Sequence, residues 1–117
     1  MIFNKFTGKS GEQVAAKYLK SKGYKILDTN YRSRHGEIDI VCMHKGMLVF
    51  VEVKSRKNLS FGLPREAVTY RKQQSIIYTA QYYIFRNALV DIPVRFDVIE
   101  VVDDKISSHI ENAFQLN

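Results

Sequence analysis

Residues 36–54 read GEIDIVCMHKGMLVFVEVK. Two runs rich in Ile, Val and Phe, Glu37–Met43 and Leu48–Lys54, are separated by His44-Lys45-Gly46-Met47, the pattern of a β-hairpin. A two-residue loop (Lys45-Gly46) and a four-residue loop (His44–Met47) give the same register. In it Asp39 faces Glu52 and Glu37 faces Lys54. Side chains alternate along a strand, so all four share one face, together with Val41, Leu48 and Phe50.

Directly opposed residues stand about 4.5–5.5 Å apart at Cβ, and like charges so placed destabilise the pair. A divalent cation between Asp39 and Glu52 removes that repulsion, because Mg²⁺ and Mn²⁺ prefer hard oxygen ligands. Lys54 could then orient a water or neutralise charge developing in a transition state. The same pattern also fits a solvated outer face on which Glu37 pairs with Lys54 while Asp39 and Glu52 stay wet. The hairpin alone does not choose between the two.

The chain has 117 residues, enough for one domain (1–117) with a genuine core. Its 45% hydrophobic content, with seven Phe and seven Tyr, argues against disorder. The single cysteine, Cys42, excludes an intrachain disulfide and a CxxC metal site. The opening MIFNKFTGKSGE has no long apolar run, so neither a signal peptide nor a membrane span is expected. A soluble cytoplasmic protein follows as an expectation. A formal net charge of +6 suits a polyanionic partner, nucleic acid being the simplest.

Upstream of the hairpin, Ser10–Lys22 predicts a helix with a Ser10/Gln13 capping box and Gly23 as its stop. Its apolar stripe is Ala15, Tyr18 and Leu19. Glu12 lies seven positions before Leu19, almost two full turns, and so falls on that stripe, although a first-turn Glu also favours the helix dipole from an exposed position. Tyr24–Tyr31 predicts a strand, and Arg32–Gly36 a basic loop able to hold phosphate oxygens near a metal. His35 and His44 have no partner at zinc spacing.

Downstream, Arg56 and Lys57 open a polar connector, and Gly62 and Pro64 mark a turn before a helix over about 65–87. Ile76, Ile77, Ala80, Tyr83 and Ile84 give that helix its buried face, and Lys72 continues the stripe towards its amino end. Tyr78, Tyr82 and Phe85 form a second strip, of a kind that suits core or a subunit interface better than base stacking. Pro93 opens the strand VRFDVIEVV, Asp103-Asp104 makes a turn, and Ile106–Ile110 a short return strand before the tail. The order predicts an α/β or α+β fold: a mixed sheet of about five strands with flanking helices.

An Asp followed about a dozen residues later by Glu-x-Lys resembles the core of the PD-(D/E)xK nucleases. Here it reads Asp39…Glu52-Val53-Lys54, with Ile38 where the motif has Pro. More closely, the chain resembles the YraN-like family of predicted endonucleases, which are similar to archaeal Holliday junction resolvases. The matching pieces are GEQVAAKYLKSKGYKIL, NYR, GEIDIV, LVFVEVKSR, FGLPREAV with Lys72 after it, RFDVIEV and NAF. They run almost from end to end of the chain.

The resemblance implies a restriction-endonuclease-like core and Mg²⁺- or Mn²⁺-dependent cleavage of DNA, branched or duplex. Asp39, Glu52 and Glu12 would hold the metal with the Val53 carbonyl, and Lys54 would be the catalytic lysine. Glu37 and Lys72 would be auxiliary, and Arg32, Arg34, Arg56 and Lys57 would grip the backbone. A homodimer would suit a two-fold junction. The rival class is a non-catalytic nucleic-acid-binding module that retains the nuclease fold, although opposed carboxylates without a metal would repel phosphate.

Overall fold

A computed structural model describes residues 9–57 and 68–115. In chain order the elements are α1 (Lys9–Ser21), β1 (Lys25–Ser33), β2 (Gly36–His44), β3 (Met47–Arg56), α2 (Tyr70–Arg86), β4 (Val94–Val102) and β5 (Lys105–Phe114). The five strands form one mixed sheet in sequential order, antiparallel throughout except where β3 runs parallel to β4. A parallel neighbour cannot be reached by a tight turn, and α2 supplies that crossover. No helix among the described residues is long and apolar enough to cross a membrane. The fold is α+β, as expected.

Alternation along the central strands gives the sheet two apolar faces. Val41, Leu48, Phe50, Phe96 and Val98 pack with Ile76, Ile77, Ala80 and Tyr83 of α2. Ile40, Cys42, Val49, Val51, Ile99 and Val101 pack with Ala15 and Leu19 of α1. A helix therefore covers each face of the hairpin, and the reading of a solvated outer face is overturned. Glu52, on the α2 side with Phe50, is only 6% exposed.

The hairpin register holds where it is laddered: Ile40 pairs with Val51, Val41 with Phe50 and His44 with Met47. Lys45 and Gly46, with φ of 52° and 79°, form the two-residue turn. Glu37 does not pair with Lys54. The β2–β3 ladder ends at Ile40, and β2 continues beside β1, where Glu37 pairs with Arg32.

Other boundaries move for local reasons. The expected basic loop shrinks to Arg34 and His35, because Arg32 and Ser33 still pair in β1 and Gly36 already pairs in β2. A bulge between Ile26 and Asp28 leaves Leu27 as the extra residue of β1, 40% exposed. Helix α2 begins at Tyr70 because Thr69 caps it, its side chain accepting from the Lys72 N–H. The turn expected at Gly62 and Pro64, the helix start near Arg65 and the Ser10 side chain lie outside the described residues. Strand β5 continues to Phe114, whose buried ring stacks on Phe96, so the first four residues of the expected tail, Glu111–Phe114, extend the sheet's last strand.

One polar cluster lies inside the α1 face. Asp97, fully buried, accepts from Arg95 Nε at 2.8 Å, Arg95 Nη2 at 2.9 Å and the Asn112 N–H at 3.0 Å. His109 Nε2 stands 2.7 Å from the same carboxylate, and the Tyr18 hydroxyl meets the other ring nitrogen at 3.0 Å. Arg95 also donates to the Tyr24 hydroxyl at 2.7 Å. The cluster ties α1 and the start of the sheet to β4 and β5.

Candidate active site

Asp39 sits where β2 parts from β3. There the Val53 N–H goes to its Oδ2 at 2.7 Å, a side-chain acceptor at the point where the main-chain ladder stops. The parting opens the hairpin on one carboxylate, and Glu52 lies beside it on β3. Glu52 Oε2 is 3.6 Å from Lys54 Nζ and 3.7 Å from Lys72 Nζ. The expected trio Asp39, Glu52 and Lys54 is thus together, and α2 brings Lys72 to it. Lys72 is the polar end of the helix's inward stripe.

Burial first, then the charge of Asp39, pushes the Glu52 carboxyl from 4.5 up to about 7, against the opposing pull of Lys72 and Lys54. Burial also raises the Asp39 carboxyl, opposed by its bond from the Val53 N–H and by Glu52 as a hydrogen-bond partner. Glu12 is raised by burial and then by Asp39, with Asn30 of β1 bonding to it. Glu12 therefore does point inward. The three form a string, Glu12–Asp39–Glu52, whose middle member touches both others.

Among the described residues no three His, Cys, Asp or Glu side chains are grouped so that together they could hold a metal ion. Mg²⁺ needs no such group: it keeps several waters and commonly binds through one or two carboxylates plus phosphate oxygens. Two adjacent carboxylates that hold protons too tightly fit a hard divalent cation, since each would release its proton to one.

The linkage gives a first prediction. In the unfolded chain Glu52 loses its proton near pH 4.5, and in the folded metal-free chain near pH 7. Across that window the folded state binds more protons, so its advantage is complete below 4.5 and is lost as pH rises through 7. Metal-free protein should melt on the order of 5 °C lower at the alkaline end. Glu52→Gln should remove the slope, and Mg²⁺ or Mn²⁺ should restore the melting temperature at the alkaline end more than at the acid end. A flat profile in calorimetry would refute the coupling.

Glu37 pairs with Arg32 at 3.5 Å, and its charge is felt by both Asp39 and Glu12. It borders the string without joining it. Arg32 and Arg34 lie at the β1–β2 turn and Arg56 and Lys57 at the end of β3, the end of the sheet that carries the carboxylates. The Arg56 carbonyl accepts from the Asp103 N–H at 2.9 Å.

Three contributors escaped the sequence reading. Glu100 is the parallel neighbour of Lys54 and buried. Its Oε1 accepts from the Ser108 hydroxyl, and its Oε2 has no partner among the described residues. Gly11 and Gly36 each precede a site glutamate and let a helix close on the sheet. A Cβ on Gly36 would lie 2.1 Å from Ser75 Oγ of α2, and one on Gly11 would lie 2.5 Å from Ser55 Oγ and 2.6 Å from Ser55 Cβ. The Gly-Glu repetition at 11–12 and 36–37 was the available signal. Gly11→Ala should cost about 1–3 kcal/mol by overpacking. Ser55→Gly should recover part of that loss in denaturant titrations, whereas Ser55→Ala, which keeps the Cβ, should not. Equal rescue by both would exclude this contact as the cause.

Residues 11–101 match the family model described as "Uncharacterised protein family UPF0102". A UPF0102 protein of Clostridioides difficile (strain 630) is 53% identical over 95% of this chain and 98% of its own length. One from Persephonella marina is 43% identical over 99% of both, and one from Alkaliphilus oremlandii 51% identical over 95% of this chain and 99% of its own. Matched over that span and at those identities, the chain belongs to the uncharacterised protein family UPF0102, the YraN-like family that its motifs resemble.

Proposed function

We propose that this protein is a divalent-metal-dependent nuclease that hydrolyses phosphodiester bonds in DNA, acting in the cytoplasm as an endonuclease on branched or structured substrates. The observation that carries this reading is the pairing of two carboxylates, Asp39 and buried Glu52, beside Lys54 at 3.6 Å from Glu52 Oε2. A structural ion pair needs one acid for its lysine. Here three acids, Glu12, Asp39 and Glu52, stand against two lysines, Lys54 and Lys72, and the surplus acid lies in a half-buried place, where it costs stability unless a cation joins it.

Asp39 and Glu52 would hold Mg²⁺ or Mn²⁺, with Glu12 and the Val53 carbonyl as further oxygen donors. An ion held there would supply Lewis acidity towards the scissile phosphate and would lower the pKa of an attacking water. Lys54 is held by Glu52 at the mouth of the pair, where it can orient that water and offset charge building on the phosphate. Lys72, whose Nζ lies 3.7 Å from the same Glu52 oxygen, offsets part of the acidic charge before substrate arrives. Arg32, Arg34, Arg56 and Lys57 would grip the backbone, giving salt-sensitive affinity largely independent of sequence.

The test is a cleavage panel of linear duplex, single-stranded, flap and four-way-junction DNA with Mg²⁺, Mn²⁺ or EDTA. Metal-dependent cutting is the expected result. Salt-dependent binding without cutting on any substrate would instead assign a non-catalytic binding module.

A further inference from the structure

The outward strip of α2 is neither core nor idle surface. Tyr78 is 52% exposed, Tyr82 40% and Phe85 79%. Tyr82 forms one wall of a cavity of about 460 Å³ whose other wall is the β1–β2 turn, with Arg32, Arg34 and His35. A second hollow of about 380 Å³ shares Arg32 and Tyr82 and adds Tyr31, Arg86 and one acid, Asp28. The two make one groove along the sheet's edge. The Arg86 guanidinium lies over the Tyr82 ring at 6.0 Å, and the His35 and Tyr78 rings are 5.9 Å apart.

We infer that this groove receives unpaired nucleotides, with a base stacked on Tyr82 and the flanking phosphates met by Arg32, Arg34 and Arg86. Three cations against two acids, Asp28 and the Glu37 that pairs with Arg32, leave a positive balance that suits a polyanion, and exposed rings add nothing to phosphate binding alone. In a duplex the base faces are already stacked on one another, so rings at this surface can be used only by a single-stranded segment. The groove also leads to the carboxylates: Arg32 is 3.5 Å from Glu37, which precedes Asp39 by two residues of β2. That separation is about 6.6 Å of strand rise. The inference rests on the nuclease reading for where the cut falls, and it names the substrate class: DNA with a single-stranded segment beside the scissile phosphate.

The test separates the two readings because it measures binding of the full chain in EDTA, where no cutting occurs. Fluorescently labelled single strands, the same strands made abasic, and the matching duplex serve as probes. Wild type should bind the base-bearing strand more tightly than the abasic one. Tyr82→Ala should lose about 5- to 100-fold on the base-bearing strand alone, leaving the abasic strand and the duplex unchanged. Tyr82→Phe, which keeps the ring, should retain the preference. Melting curves confirm that each variant folds.

Equal affinity for natural and abasic strands, or an unaffected Tyr82→Ala, would overturn the groove. So would light scattering that finds a dimer dispersed by Tyr82→Ala and Phe85→Ala, which would give the strip to a second copy of the chain. Tyr82-dependent binding with no cleavage under any metal would overturn the nuclease reading and leave the groove standing.

Discussion

Asp39→Asn is expected to lose about 10²- to 10³-fold or more of metal-dependent cleavage, while binding nucleic acid in EDTA at least as tightly as wild type. Replacing the carboxylate with an amide removes a charged oxygen ligand, and the metal's stabilisation of transition-state charge amounts to several kcal/mol. Each 1.36 kcal/mol corresponds to tenfold in rate, which gives that range. Asn has the same shape and can still accept the Val53 N–H, now made at 2.7 Å, so the parting of β2 from β3 survives. Loss of the charge beside Glu52 also relieves repulsion, and the variant should melt no lower than wild type near neutral pH. Single-turnover cleavage with Mg²⁺ and with Mn²⁺, alongside melting curves, checks both halves. A variant that cuts as fast as wild type would remove Asp39 from the chemistry.

Asp97→Ala is expected to cost about 3–5 kcal/mol of stability, the range for breaking a buried pair by removing one partner, since among the described residues Arg95 would keep only the exposed Glu111 as an acid partner, at 3.6 Å. With typical domain stabilities of about 5–15 kcal/mol, that is enough to leave the protein marginal. Asp97 takes two hydrogen bonds from Arg95, one from the Asn112 N–H and the contact with His109, all within 3.0 Å. Burial works against its charge, but the bonds from His109, Arg95 and Asn112 outweigh it and hold the carboxyl below its ordinary value of 3.8. The stability it contributes is therefore present above that value and lost as pH falls through the lower folded one. Denaturant titration of the variant measures the loss, and a change under about 1 kcal/mol would show that the cluster is not holding the sheet. Cleavage per folded molecule should survive, because the cluster lies on the α1 face and makes no contact with Glu52.

The two acids differ in how far the sequence reveals them. Asp39 and Glu52 were legible because they sit on one hairpin, where side-chain alternation and a two-residue turn dictate who stands beside whom. Asp97 was not. It reads as one polar residue in an apolar strand, and the members of its cluster, Tyr18, Tyr24, His109 and Asn112, come from three other parts of the chain. Lys72 lay between the two cases: the helical period aimed it inward, but only the docking of α2 on Glu52's face supplied a target.

The sequence by itself determined the hairpin and its register, the inward stripe of α1 with Glu12 on it, the strand Val94–Val102 and the family. All of these follow from short-range rules of backbone geometry and periodicity, or from motifs in order along the chain. Tertiary structure decided that α2 covers the face of Glu52 and so raises its carboxyl, that β2 leaves β3 at Asp39 and hands Glu37 to Arg32, and that β5 runs on to Phe114. Burial and electrostatics depend on which element lies over a residue, and neighbours in sequence do not carry that information.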